Sequence, residues 1–197
     1  MHLTSDGRLA VIHDHSVVRT TDGEGLVGAR TLGELKELDA GGGERIPCLE
    51  EVLELARGRV GVAVEVKSLP IVYPVIEPTL VTVIRDARME EETAVISFDH
   101  RVVRRLHELE PRLVCGVLVV GRPLLLPELL SYAGAEVYSP HWSFVDSATV
   151  AEVHQQGASV AVWTVDDRNT LVRCQELGVD AVYSNRPREA KRWLEAP

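Results

Sequence analysis

No apolar run in this sequence approaches the roughly 18 residues that a membrane span needs, and no basic-then-apolar leader precedes Leu3. Neither insertion nor export is expected, and the location expected by default is cytoplasmic. Cysteine is scarce: Cys48, Cys115 and Cys174 are widely spaced, odd in number and without a CxxC pair, which argues against a zinc site and for buried reduced thiols. Bases are outnumbered, with 21 Lys and Arg against 30 Asp and Glu, a net charge of -9 and a pI near 5.3. That field repels polyanions, so nucleic acid and anionic membrane surfaces are not expected partners. No low-complexity stretch or compositional break marks a linker, so residues 1–197 read as a single domain. A glycine-rich fingerprint after a first strand is also missing, and the chain opens on a hairpin instead, which counts against a dinucleotide-binding open sheet.

What is present is a core-forming composition, 45% hydrophobic over 197 residues. Its most informative stretch is Arg59-Val60-Gly61-Val62-Ala63-Val64-Glu65-Val66-Lys67-Ser68. The apolar run reads as a strand buried on both faces, as parallel strands are under helices. Charged side chains are rarely buried unpaired, so Glu65 and Lys67 belong at the carboxyl end of that strand, where α/β folds place their sites. Two residues apart, they share a face. A carboxylate and an ammonium there suit a metal and a phosphate, respectively, or simply a structural ion pair.

Either side of this strand the pattern is regular. Asp6-Gly7 predicts a hairpin turn within 2–14, and Thr31-Leu32-Gly33-Glu34 a capping box opening a short helix. Pro47 stands at a predicted helix start, with apolar Leu49, Val52, Leu53 and Ala56 on one face. From there strands are predicted over 93–98, 113–120, 136–139, 159–165 and 180–184, each followed by a helix. Together with 59–68 these make six βα units. A (β/α)8 barrel is favoured, two units short of closure.

An ordered series of motifs then resembles the glycerophosphodiester phosphodiesterase family. Thr4, Asp6-Gly7, Val11, His13-Asp14, Arg19-Thr20-Thr21 and Gly25 resemble its T-x-D-G…V-x-H-D…R-T-T…G segment. Ile46-Pro47-Cys48-Leu49-Glu50 resembles its I-P-T-L-E, and Val64-Glu65-Val66-Lys67 its I-E-I-K. Ser97-Phe98, Val162-Trp163-Thr164-Val165-Asp166 and Tyr183-Ser184-Asn185-Arg186-Pro187 resemble its S-F, W-T-V-N and T-[DN]-x-P. The family's His-Arg-Gly strand, Pro-Glu-Asn-Thr helix and Glu-x-Asp strand end, which precede the hairpin, have no counterpart in this sequence. The expectation is therefore an α/β, (β/α)8 TIM barrel lacking the first strand, the first helix and most of the second strand. A natural start upstream, with Met1 at a family valine position, is the accompanying hypothesis.

The resemblance implies hydrolysis of a small-molecule glycerophosphodiester to glycerol 3-phosphate and an alcohol, with a divalent metal, Mg²⁺ or Ca²⁺, and histidine acid/base catalysis. It makes His13 a catalytic group, Lys67 a phosphate contact, Trp163 a wall against the glycerol and Glu65 a metal ligand. Such a cation takes six or more oxygens, so Glu65 alone does not satisfy it. The alternatives are a catalytically impaired truncation, a phosphate-ligand-binding remnant around Lys67, and a lysophospholipid-type phosphodiesterase. Of the other histidines, His141 is noted because it follows a predicted strand end; the rest, His2 among them, read as surface or satisfied. Phe98 reads as core.

Overall fold

Asp6-Gly7 turns the chain as its composition requires: Gly7 adopts a left-handed φ of 75°, and the Thr4 hydroxyl donates to Asp6 Oδ1 at 2.5 Å. The turn joins β1 (His2–Leu3) to β2 (Leu9–Ala10) as an antiparallel pair with His2 opposite Ala10. The computed structural model describes residues 1–195, in two compact units divided between Val114 and Cys115. Each is taken by itself.

In the first unit, Asp6 Oδ1 also accepts from the Leu32 amide, tying the hairpin to α1 (Leu32–Lys36). The predicted capping box is present, with the Glu34 amide donating to Thr31 Oγ1 at 3.2 Å and Glu34 Oε2 accepting from the Thr31 amide at 2.7 Å. A buried cluster of Ala10, Val17, Val27, Leu35 and Ile46 anchors this irregular segment. α2 (Leu49–Ala56) begins two residues after Pro47, with Cys48 as N-cap; the Cys48 amide donates to Glu51 Oε2 at 2.9 Å. That backbone bond needs no hydroxyl at the cap, so Cys can stand where the motif has Thr.

Next come β3 (Val62–Glu65), α3 (Ile76–Ala87), β4 (Thr93–Ser97) and α4 (His100–Leu109). β3 and β4 run parallel, with Val64 opposite Val95 and Glu65 opposite Ile96. β3 is shorter than the predicted strand, and its Ala63 is exposed. Beyond it, Met1 flanks the outer side: the Met1 amine donates to the Glu65 carbonyl at 2.7 Å, and the Lys67 amide donates to the Met1 carbonyl at 3.2 Å. Asp99 caps α4, accepting from the Arg101 amide. Glu110 is buried and accepts from Arg112 Nε at 2.9 Å and Arg85 Nε at 2.6 Å, and these two guanidiniums hold its carboxyl down at about 2. Glu90 is half-buried against Arg112 at 2.8 Å. Phe98 departs from expectation: it lies past the end of β4 and is 45% exposed, so it is not core.

In the second unit the alternation continues through β5 (Val114–Val119), α5 (Leu126–Ala133), β6 (Val137–Pro140), α6 (Ser147–Gln155), β7 (Ser159–Val162), α7 (Arg168–Glu176), β8 (Ala181–Val182) and α8 (Pro187–Glu195). β5–β6, β6–β7 and β7–β8 pair in parallel. α6 and α7 start alike: Asp146 accepts from the Thr149 amide at 2.8 Å and Asp167 from the Thr170 amide at 2.9 Å. Gly134 closes α5 with a φ of 62°. Strand and helix thus alternate from β3 to β8, and the fold is the (β/α)8 barrel class, of whose eight units this chain carries six. The three cysteines are buried and free. No described helix is long and apolar enough to cross a membrane.

Candidate active site

Glu65 and Lys67 close the β3 segment on one face, as their spacing demands, and Lys67 Nζ stands 2.6 Å from Glu65 Oε1. Ser97, at the end of β4, donates its hydroxyl to the Val66 carbonyl at 2.8 Å, pinning the backbone between the two charges. β2 delivers His13 to the same place, its path held by the Val11 amide donating to the Pro47 carbonyl at 2.9 Å. Lys67 Nζ is 3.0 Å from His13 Nε2. On its other side His13 Nδ1 is 2.7 Å from Asp14 Oδ1.

The partners assign the imidazole. An ammonium has donors only and an ionised carboxylate acceptors only, so His13 carries its proton on Nδ1 and turns the Nε2 lone pair toward Lys67. Asp14 is kept ionised for this task. Arg19 clamps it with two bonds, Nε to Oδ2 at 2.6 Å and Nη2 to Oδ1 at 3.1 Å. The guanidinium and the His13 bond hold the Asp14 carboxyl well below the usual carboxylate range. The His13 side chain is 68% exposed while Lys67 is 17% exposed, so the imidazole is open to an incoming ligand and the ammonium stands behind it.

His13, Glu65 and Lys67 border a cavity of about 270 Å³ whose other walls include Met1, Val11, Leu49 and Val64. It is polar at one end and apolar elsewhere, the pattern of a site for a small polar group. Among the described residues, no three His, Cys, Asp or Glu side chains come together as a cation site. Glu65 Oε1 is shut off from solvent, and the group facing it is already the Lys67 ammonium. A single carboxylate paired with a cation does not fit Mg²⁺ or Ca²⁺.

Three of the four expected site residues, His13, Glu65 and Lys67, are therefore brought together. The fourth, Trp163, belongs to the second unit and has its own neighbours. It follows β7, is half-buried, and donates Nε1–H to the Ser139 carbonyl at 3.0 Å. His141 packs edge-on against it, with ring centroids 5.1 Å apart. Trp142 and Phe144 lie around His141 at 5.5 and 6.2 Å. His141 was flagged by its place after a strand; the aromatic cluster around it had no periodic signal. Asp166, where the motif has Asn, gathers the chain after β8 by accepting from the Asn185 amide at 2.7 Å and the Asn185 side chain at 2.8 Å. Arg19 and Ser97 lay inside quoted motifs, but their roles show only as contacts.

Residues 1–189 match the model of the family described as "Glycerophosphoryl diester phosphodiesterase family". A glycerophosphodiester phosphodiesterase of Caldanaerobacter subterraneus subsp. tengcongensis is 36% identical over 95% of this chain and 80% of its own length. Among solved structures, one from Silicibacter pomeroyi, described as a "Putative glycerophosphoryl diester phosphodiesterase", superposes with a TM-score of 0.91 at 25% identity, covering 98% of this chain and 81% of that one. Another, an Oleispira antarctica phosphodiesterase in complex with the product sn-glycerol-3-phosphate, has a TM-score of 0.87 at 26% identity over 98% of this chain and 82% of that one.

Proposed function

The chain belongs to the glycerophosphoryl diester phosphodiesterase family and is a phosphoric diester hydrolase that releases glycerol 3-phosphate and an alcohol, and within this activity we propose that His13 is the acid/base group and Lys67 the phosphate contact. The observation that carries the proposal is the continuous line Arg19, Asp14, His13, Lys67, Glu65, each member within hydrogen-bond or ion-pair distance of the next. A phosphodiester carries a negative charge and gains more on its oxygens as water adds, so an ammonium fixed at the site favours the transition state. Lys67 turns from His13 to a phosphate oxygen when substrate enters, and the Nε2 lone pair is released. Asp14 then stabilises the charge that the imidazole acquires on taking a proton.

In hydrolysis the water oxygen bonds to phosphorus as His13 Nε2 takes the water proton, the bond from phosphorus to the alcohol oxygen breaks, the alkoxide takes a proton from solvent, and the imidazolium returns its proton to solvent. Attack and departure lie on opposite faces of phosphorus, so one imidazole serves one of the two transfers. Glu65 holds Lys67 in place, and no step is drawn through a metal. Trp163 supplies a flat apolar surface for the glycerol carbons. Unpaired buried thiols suit a reducing compartment, which supports a cytoplasmic location.

The test is turnover of glycerophosphocholine by the full chain and by His13→Ala and Glu65→Gln. We expect His13→Ala to lose ~10²–10⁴-fold in kcat and Glu65→Gln to lose less. Wild-type rates in both would remove the site assignment. One observation favours a second substrate class in the same assay: Leu69, Val72 and Val75, in the chain after Lys67, are exposed at 57%, 69% and 51%. An acyl chain could lie on them, so lysophosphatidylcholine is the paired substrate; equal or faster turnover of it supports that reading, and none refutes it.

A further inference from the structure

His2 is 2% exposed, and both of its ring nitrogens are engaged. Nε2 lies 3.1 Å from the carbonyl oxygen of His13, and Nδ1 lies 3.1 Å from the Tyr73 hydroxyl. A carbonyl can only accept, so Nε2 carries the proton and Nδ1 must accept from Tyr73. The rings meet edge-on with centroids 5.9 Å apart. We infer that His2 is a positioning residue for the hydrolysis: its Nε2–H clamps the His13 carbonyl so that the His13 imidazole stays between Asp14 and Lys67, and Tyr73 sets the His2 tautomer that makes the clamp possible. This rests on the reading of His13 as the acid/base group.

The clamp acts where it is needed. Past Ala10 the strand pairing of the hairpin ends, yet His13, three residues on, must hold a fixed place opposite Lys67. The Val11 amide is bonded to Pro47, and His2 supplies the next main-chain restraint, reaching across from the paired β1. Burial pushes the His2 ring down to about 4, a direction reinforced by the Met1 amine, Lys67 and His15 and opposed by the His13 carbonyl. The ring thus stays neutral, and its tautomer single, near neutral pH. Tyr73 is itself buried at 8% exposure, and burial raises its hydroxyl, so it remains a donor. Space behind it is filled: a Cβ on Gly28 would lie 3.1 Å from Tyr73 Cε1. A packed tyrosine, a neutral histidine and a backbone carbonyl therefore form one rigid bracket. It links the segment after Lys67 to the base of His13.

The experiment uses the full chain with His2→Gln, His2→Met and Tyr73→Phe, reading kcat and KM on glycerophosphocholine together with the ¹⁵N ring shifts of His13. Gln keeps a donor near the Nε2 position; Met fills the space without one. We expect His2→Met to lower kcat ~10-fold with KM within ~2-fold, Tyr73→Phe to lower it ~3-fold, and His2→Gln to restore most of the loss. The His13 ring shifts should move in His2→Met and return in His2→Gln. Unmoved His13 shifts in a folded His2→Met variant would overturn the clamp whatever the kinetics. Equal kcat losses in the Met and Gln variants would overturn it as well. Should the shifts move as expected while His13→Ala retains full activity, the acid/base reading fails and the bracket stands.

Discussion

The two strand ends that carry candidate residues are built from different chemistry. In the first unit, β3 and β2 end in charges held by other charges: Arg19 on Asp14, Asp14 on His13, and Lys67 between His13 and Glu65. In the second, β6 and β7 are followed by rings in contact with one another, with Trp163 Nε1–H donating to the Ser139 carbonyl and His141 Nδ1 2.8 Å from the Ser143 hydroxyl. The first arrangement has direction and a protonation state, and each member depends on its neighbours' charge. The second depends on shape. Chemistry on a charged phosphate calls for the former, and holding carbon calls for the latter.

The contrast can be broken by removing charge at constant size. Lys67→Met should give the largest change, ~10²-fold in kcat/KM, because it takes away the phosphate contact and leaves Glu65 facing the cavity without its cation. A loss below a few-fold would show that the ammonium is structural. A second test uses pH. Folded His2 titrates at about 4 against 6.5 for the ordinary ring, so between these values the unfolded chain binds a proton that the folded chain refuses. Its contribution to stability is complete above 6.5 and is lost as pH falls toward 4. Urea unfolding of the wild type should therefore lose ~2 kcal/mol more than His2→Gln between pH 7 and pH 5; parallel curves would place the titrating group elsewhere. The smallest effect is expected at the aromatic end. Trp163→Leu keeps apolar area and loses the ring and its donor, and we expect KM to rise ~3–10-fold with kcat little changed. A fall in kcat as deep as that of Lys67→Met would erase the distinction between the two ends.

Much of this could be read before any coordinate. Several helix starts have a chemical cause in the chain: Thr31 with Glu34, Asp99, and the Pro47-Cys48-Leu49 stretch. Glu65 and Lys67 stood out as charges at the end of an apolar strand, which a structural ion pair explains as well, and His13 entered as a candidate through the family resemblance. The misreadings fall where partners are distant in sequence. Phe98 looked buried because nothing local reveals that β4 stops at Ser97. His2 was passed over for the same reason, since Tyr73 lies 71 residues on.

By itself the sequence determined the order of strands and helices, the caps that start them, and which strand ends carry charge, because hydrophobic period, turn residues and capping side chains act over a few residues. Only the tertiary structure decided that Glu65 faces Lys67 rather than a set of carboxylates, that His13 is neutral at Nε2, and that His2 and Tyr73 stand behind it. Those facts depend on which groups approach within about 3 Å through the folded chain. Protonation and tautomer follow from that encounter, and no local pattern encodes it.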